Sequence, residues 1–146
     1  MPRLKVLLVD DSLTIRAMLE EFIGRHEKLK IVGVATSAEE ASGMVQKLYP
    51  DVLVLDVDLP GISGLQFLER LPRNGHVMKI VVLSSRAVQG SETCNIAFDR
   101  GAVACFDKAK LVRNGGQLTE LLVEAGYGRI NRHGYRGEAV SLPALH

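Results

Sequence analysis

The sequence predicts an α/β domain with a doubly wound parallel sheet of five strands, and three observations lead to that prediction. Five short apolar runs recur about every 25 residues, rich in Val, Ile and Leu without clean alternation, as in strands that are covered on both faces. A segment with helical spacing follows each run. The length of 146 residues suits one compact domain.

Each predicted strand is one of these apolar runs. The runs are Leu4–Val9, Ile31–Ala35, Val52–Leu55, Lys79–Leu83 and Val103–Phe106. The first helix follows Ser12, whose hydroxyl can accept a free backbone N–H of the first turn. The second and third helices end before Pro50 and Pro72. Gly101 ends a poorly patterned fourth helix, and the fifth helix reaches Ala125.

The character of the sequence changes after this fifth helix. The last 21 residues, Gly126–His146, contain four glycines and three arginines and show no helical stripe. This composition is typical of a flexible tail, or of a strap that orders only against a partner. The sequence therefore predicts one domain over residues 1–125 and a tail over residues 126–146.

Composition and charge argue against several classes of function. Eighteen Lys and Arg against 17 Asp and Glu give a net charge of +1, which does not favour nucleic acid as a partner. The apolar runs are far shorter than the roughly 20 residues that span a bilayer, and no signal peptide is evident. Two cysteines are too few for a disulfide scaffold. We expect a soluble cytoplasmic protein.

Polar side chains follow the predicted strands at their carboxyl ends, where a doubly wound sheet binds its ligands. Asp10 and Asp11 come after the first strand, Asp56 after the third, Ser84 after the fourth and Lys108 after the fifth. Three carboxylates, a hydroxyl and an ammonium are therefore expected to meet at one edge of the sheet.

This set of side chains favours phosphoryl chemistry. Three adjacent carboxylates repel one another unless a cation neutralises them, and oxygen ligands without His or Cys favour Mg²⁺ or Mn²⁺. A carboxylate beside such a cation can attack phosphorus and form an aspartyl phosphate. Asp56 is the expected nucleophile because it lies on the central strand, between the acidic pair and the Ser84 and Lys108 donors.

Several segments together resemble the receiver domain of two-component response regulators. They are LLVDDS, VLVLDVDLPGISGLQFL, IVVLSS, GAVACF and DK, and the resemblance covers about residues 3–125. Their residue pattern is similar to that of the receivers of chemotaxis methylesterases, and from the length of the chain we expect no esterase domain. The resemblance implies the (βα)5 fold of the flavodoxin and CheY type, with strand order 2-1-3-4-5.

The resemblance also implies a role for each polar residue. Asp56 is the implied phosphoacceptor, and Lys108 pairs with the phosphoryl group. Mg²⁺ is implied as the cofactor, held by Asp11, Asp56 and the backbone carbonyl of Asp58, with Asp10 acting through a water.

The implied function is a signalling switch. Ser84 would move toward the phosphoryl group and report phosphorylation to the last two helices. The implied donor is a histidine kinase or histidine phosphotransfer protein, and the output is contact with an unidentified protein target through the fourth helix, fifth strand and fifth helix. We expect a monomer or weak dimer that catalyses only its own phosphorylation and dephosphorylation.

Three positions depart from the usual receiver pattern. Ala109 replaces a proline that usually follows the lysine in a cis bond, and because a non-proline cis bond costs ~3 kcal/mol, we expect a trans bond and a remodelled loop. Cys105 replaces a usual aromatic, so signalling must use backbone or loop shifts; we interpret this residue and Cys94 as structural. Asp58 adds a carboxylate at the mouth of the site.

Two alternative functions remain open. A degenerate receiver could serve as a docking module that needs no phosphorylation, as Ala109 and Cys105 suggest. A phosphatase of the haloacid-dehalogenase type would use the DxD motif formed by Asp56, Val57 and Asp58. In that class the nucleophile lies on the first strand and a separate acidic pair follows it, whereas here the acidic pair precedes the nucleophile.

Overall fold

The computed structural model describes residues 2–71, 78–85, 91–130 and 139–143. The strands are β1 Leu4–Val9, β2 Leu29–Ala35, β3 Val52–Asp56, β4 Lys79–Ser84, β5 Ala104–Asp107 and β6 Val140–Ser141. They form one sheet in the order β2-β1-β3-β4-β5-β6, and β1 to β5 are parallel. The predicted α/β fold and the order of its five parallel strands are confirmed.

Five helices connect and cover the strands. They are α1 Leu13–Gly24, α2 Ala38–Leu48, α3 Gly64–Arg70, α4 Glu92–Asp99 and α5 Leu111–Gly126, with a short 3₁₀ turn at Lys108–Lys110. The helices α1 to α4 each begin after a serine whose hydroxyl accepts the backbone N–H three residues further on, which satisfies a free donor of the first turn. No helix in the described ranges is long and apolar enough to cross a membrane.

The sheet separates two apolar cores, and β1 shows how the sequence builds both. Its residues Val6 and Leu8 face the layer of α1 and α5, whereas Leu7 and Val9 face the layer of α2, α3 and α4. Successive side chains of a strand point to opposite faces, so a continuous apolar run supplies both layers. This explains why the central strands lack polar alternation.

The sixth strand, β6, was not predicted from the sequence. It runs antiparallel to β5, with Val140 opposite Phe106 and Ser141 opposite Cys105. The backbone N–H of Asp107 donates to the carbonyl of Ala139 at 2.6 Å. A strand of two residues is too short to show a periodic pattern. Residues 131–138 and 144–146 of the predicted tail lie outside the described residues, so its flexibility stays a prediction.

The two helices α1 and α5 pack closely around a glycine. Backbone angles depart from helical values at Asn114 (φ −124°, ψ 31°), where α5 bends. A Cβ atom placed on the next residue, Gly115, would lie 2.5 Å from the Phe22 ring of α1. The absence of a side chain at Gly115 therefore lets the Phe22 ring pack directly on the α5 backbone.

Candidate functional site

The carboxyl ends of β1 and β3 bring three acidic side chains together. Asp10 and Asp11 follow β1, and Asp56 is the last residue of β3. One carboxylate oxygen from each lies within 4.8 Å of the other two. Asp10 and Asp56 are fully buried, whereas Asp11 is exposed, so the cluster opens to solvent on the Asp11 side.

The two oxygens of the Asp56 carboxylate have different surroundings. Oδ1 accepts hydrogen bonds from the backbone N–H of Asp58 at 2.9 Å and from the Lys108 ammonium at 3.1 Å. Oδ2 is buried, and no group among the described residues donates to it. The bonds to Oδ1 fix the orientation of the carboxylate and leave Oδ2 as its unpaired atom.

Asp10 is a second buried carboxylate with one unpaired oxygen. Its Oδ1 accepts the backbone N–H of Ser12 at 2.8 Å, and its Oδ2 has no donor among the described residues. Burial raises the pKa of Asp10 to about 6; the Ser12 amide opposes this shift, and the carboxylate of Asp56 adds to it. An ionised Asp10 is thus costly unless a positive charge lies nearby.

Lys108 reaches the site from the turn after β5. Burial favours its neutral form, but the negative charges of Asp56, Asp10 and Asp58 outweigh that effect, and the pKa of Lys108 lies above its usual range. The expected trans bond between Lys108 and Ala109 is confirmed, since no peptide bond between described residues is cis. Asp107 Oδ1 accepts the Ala109 N–H at 2.9 Å and stabilises this turn.

Ser84 and Asp58 occupy the same edge of the sheet. Ser84 is the last residue of β4, is buried, and lies opposite Asp107 of β5 in the ladder. Asp58 is exposed, and its Oδ2 accepts a hydrogen bond from the Ser85 hydroxyl at 3.4 Å. The Asp58 carboxylate therefore points to Ser85, while its backbone N–H holds Asp56.

Gly64 supports the site in a way that sequence reasoning missed. The sequence indicates a turn glycine, but Gly64 is buried at the start of α3, and its N–H donates to the Val57 carbonyl at 3.1 Å. A Cβ atom there would lie 2.6 Å from the Val57 Cα and would clash with the Asp56 carbonyl. The start of α3 can approach the backbone of Asp56 and Val57 this closely only with glycine.

The described residues fit a small divalent cation. The donors are carboxylate oxygens, which Mg²⁺ prefers, and buried oxygens without a partner are rare in proteins unless something else binds them. Both Asp10 Oδ2 and Asp56 Oδ2 are such atoms. The arrangement thus combines an acidic cluster that could hold a cation with an oriented carboxylate and an ammonium donor, which are the groups that phosphoryl transfer to a carboxylate requires.

Comparison with curated proteins shows sequence relatives along most of the chain. The protein-glutamate methylesterase/protein-glutamine glutaminase of Methylobacillus flagellatus is 42% identical over 113 residues, which are 77% of this chain and 32% of that protein. A second such protein, from Vibrio vulnificus, is 36% identical over 116 residues, 80% of this chain and 33% of that protein. The chain thus spans about one third of the length of these relatives.

Solved structures show the same fold. The response regulator domain of Thermotoga maritima CheB has a TM-score of 0.79 and 27% identity, with 86% of this chain and 97% of that chain covered. A chain in the complex of the CheA3 P1 domain with CheY6 from R. sphaeroides has a TM-score of 0.72 and 29% identity, over 86% and 98% of the two chains.

A family model described as the response regulator receiver domain matches residues 6–115, a span that begins in β1, contains the acidic cluster and Lys108, and ends in α5. This match includes all the strands that build the candidate site. The chain therefore belongs to the response regulator receiver domain family.

Proposed function

We propose that this receiver accepts a phosphoryl group on Asp56 from a histidine kinase or histidine phosphotransfer protein, and that it signals by contact with another protein. One observation carries the proposal: Asp56 Oδ2 is buried and unpaired, while Asp58 N–H and Lys108 hold Oδ1. A carboxylate held in this way is already oriented for attack.

The transfer step follows from this geometry. Asp56 Oδ2 forms a bond to phosphorus, the P–N bond of a phosphohistidine breaks, and its electron pair stays on the imidazole nitrogen. Negative charge increases on the phosphoryl oxygens during the step. The Lys108 ammonium, 3.1 Å from Oδ1, is close enough to the acceptor to donate to these oxygens.

The metal in this proposal is Mg²⁺. Its ligands are Asp11, Asp56 and the backbone carbonyl of Asp58, with Asp10 acting through a water. When bound, the ion supplies positive charge that offsets the repulsion between the acidic cluster and an anionic donor. The buried Asp10 Oδ2, which has no donor among the described residues, supports this assignment because a water on the ion would donate to it.

The output in this proposal starts at Ser84. Its hydroxyl bonds to a phosphoryl oxygen, and the resulting shift of the end of β4 passes to β5 through the register of Ser84 with Asp107. The surface formed by α4, β5 and α5, which we call the output face, then changes its contacts. With Cys105 on β5 in place of an aromatic ring, this change is carried by the backbone.

The relatives named above place limits on the proposal. The relatives named for methylesterase and glutaminase activity are much longer than this chain, and the match covers only about one third of their length. For this chain we propose only self-phosphorylation and self-dephosphorylation, in the cytoplasm and as a monomer or weak dimer. The similar chain from R. sphaeroides belongs to a complex of CheY6 with the P1 domain of CheA3, and this supports the proposed type of donor.

The first test is intact mass after incubation with acetyl phosphate, with and without Mg²⁺. We expect the wild type to gain one phosphoryl group only with Mg²⁺, and Asp56→Asn to gain none. Asp58→Asn is the matched control, because the proposed Mg²⁺ ligand at this position is the backbone carbonyl and not the side chain. We expect this variant to gain one phosphoryl group with Mg²⁺, as the wild type does.

Two outcomes would contradict the proposal. A folded wild type that gains no phosphoryl group and shows no Mg²⁺-dependent change with beryllium fluoride would instead support the docking module that needs no phosphorylation. Turnover of a small phosphate ester that requires both Asp56 and Asp58 would support the phosphatase alternative.

A further inference from the structure

The only two cysteines of the chain contact each other beneath the output face. Cys94 lies in the first turn of α4 and Cys105 lies in β5, and both are fully buried. Their Sγ atoms are 2.6 Å apart, and both thiols are free. They are eleven positions apart in sequence, so this contact comes from the packing of α4 on the sheet.

Regular structure holds both cysteines in place. The Cys94 N–H donates to the Ser91 hydroxyl at 3.2 Å in the cap of α4. Cys105 lies in the ladder between Val82 of β4 and Ser141 of β6. A disulfide has a sulfur–sulfur distance of about 2.05 Å, so a further approach of roughly half an ångström would join the two sulfurs.

The environment of the pair makes the two thiols chemically different. The hydrogen bond with Cys105 lowers the pKa of Cys94 against the effect of burial, and Ser91 and Ser141 act in the same direction. The same contact and burial raise the pKa of Cys105. Of the two thiols, Cys94 therefore ionises more easily to the thiolate, which is the reactive form.

We propose that Cys94 and Cys105 form a reversible intrachain disulfide when the protein meets hydrogen peroxide, so that the pair is a redox modification site between α4 and β5. Disulfides in reducing compartments are commonly transient and serve redox sensing. A reactive thiolate with a second thiol in contact is the arrangement that such sensing cysteines share.

The reaction balances in two steps. The Cys94 thiolate attacks one peroxide oxygen, the O–O bond breaks, and Cys94 becomes a sulfenic acid while hydroxide leaves. The Cys105 sulfur then attacks Cys94 Sγ, the S–O bond breaks, and water leaves. Overall two thiols lose two electrons and two protons, and one peroxide is reduced to two waters.

Access to the buried pair runs through β6. Ser141 lies opposite Cys105 and interacts with Cys94, so β6 covers the pair at this edge of the sheet. An element of only two residues makes few backbone hydrogen bonds and opens at low free energy. A small oxidant such as hydrogen peroxide reaches the thiols during such opening.

A disulfide would join two of the three elements of the output face. The bond would restrain α4 relative to β5 and so affect signalling. This effect on signalling rests on the proposed function, because α4 and β5 need to shift only in a receiver that responds to phosphorylation. Bond formation itself does not depend on Asp56. A thiol count therefore tests the redox site separately from the proposed phosphorylation.

The test uses the full chain in its native state. The protein is treated with hydrogen peroxide, quenched, unfolded, alkylated with N-ethylmaleimide and weighed intact. Before oxidation we expect two N-ethylmaleimide adducts per chain. After oxidation we expect no adduct and a protein mass lower by two hydrogens, and after reduction with dithiothreitol we expect two adducts again. Cys94→Ser and Cys105→Ser are the matched controls, and each is expected to form no intrachain bond.

Three results would overturn the redox site. The first is oxygen addition to the cysteines without the loss of two hydrogens. The second is a disulfide between two chains, seen as a dimer on a non-reducing gel. The third is retention of two free thiols in the native protein at a peroxide concentration that oxidises the same chain in urea.

Discussion

Asp10 shows how a single buried carboxylate links stability to the candidate site. Its Oδ2 has no donor among the described residues, and burial raises its pKa to about 6 from an ordinary value of 3.8. Between these two pH values the folded protein holds a proton that the unfolded chain has lost. The contribution of Asp10 to stability is therefore greatest below the lower value and falls as the pH rises through 6.

We predict that Asp10→Asn stabilises the metal-free protein. Above pH 7 the variant avoids the cost of a buried charge but keeps an oxygen to accept the Ser12 N–H, so its free energy of unfolding should exceed that of the wild type by about 1–3 kcal/mol. The gain should shrink as the pH falls from about 6 toward 3.8, because the wild-type carboxyl then takes up its proton. Urea unfolding in EDTA measures both values.

Asp11→Asn is the control for this prediction. Asp11 belongs to the same cluster but is exposed, so its substitution should change stability much less. A destabilised Asp10→Asn protein at pH 8 would show that the native environment favours the Asp10 charge, contrary to the burial argument.

The sequence predicts which polar residues meet at the candidate site, but it does not predict their hydrogen-bond partners. Asp10, Asp56 and Lys108 could be placed together because each follows a strand of a parallel sheet, and the ends of such strands share one edge. The pairing of Asp56 Oδ1 and the isolation of Oδ2 could not be predicted, because they depend on the Asp58 amide and the Lys108 side chain in three dimensions.

The contact between α1 and α5 shows what close packing requires of an element. Gly115 and Gly116 are neighbours in α5, but they differ in their surroundings: the Phe22 ring lies over Gly115, and nothing lies within 4 Å of a Cβ atom at Gly116. Sequence alone gives both residues the same low helix propensity. Only the packed structure separates them.

We predict opposite effects of alanine at these two positions. Gly116→Ala should raise the free energy of unfolding by about 0.5–1 kcal/mol because alanine favours the helix. Gly115→Ala should lower it by about 1–2 kcal/mol because the new methyl group meets the Phe22 ring. Thermal or urea unfolding of both variants measures the contrast, and equal effects would contradict the packing argument.

Among the other elements, some features could be predicted from the sequence and others depend on tertiary packing. The limits predicted for β1, Leu4–Val9, agree with the structure because its whole apolar run lies inside the sheet. The contact of Cys94 with Cys105 had no sequence signal, because it depends on how α4 packs on β5. Both cysteines are buried, and their interpretation as purely structural residues stays a prediction.

At the scale of the whole molecule, β6 changes the edge of the sheet. In a five-stranded receiver fold β5 is the edge strand, and its outer N–H and C=O groups are free to pair with another chain. Here Ala139 and β6 pair with that edge. Ala139 and Val140 also join the core beside α1 and α5. Ala139, Val140 and Ser141 are thus part of the domain's packing.

We predict that removing residues 131–146 exposes this edge. Hydrogen exchange at the Asp107 amide should become at least about ten times faster, because its hydrogen bond to Ala139 is lost. Removal of residues 144–146 alone, which leaves β6 intact, is the matched control and should not change this rate. Hydrogen exchange measured by NMR or mass spectrometry would contradict the prediction if Asp107 stayed equally protected in both proteins.

The direction of β6 also determines where the chain can be extended in experiments. Because β6 runs antiparallel to β5, its last residue, Ser141, lies nearer than Val140 to the amino ends of the parallel strands, the edge opposite Asp56. Arg3, just before β1, lies at that same edge. A fluorescent reporter or surface tether attached at Arg3 or at Ser141 would therefore leave the acidic cluster open, which suits single-molecule and biosensor work on this receiver.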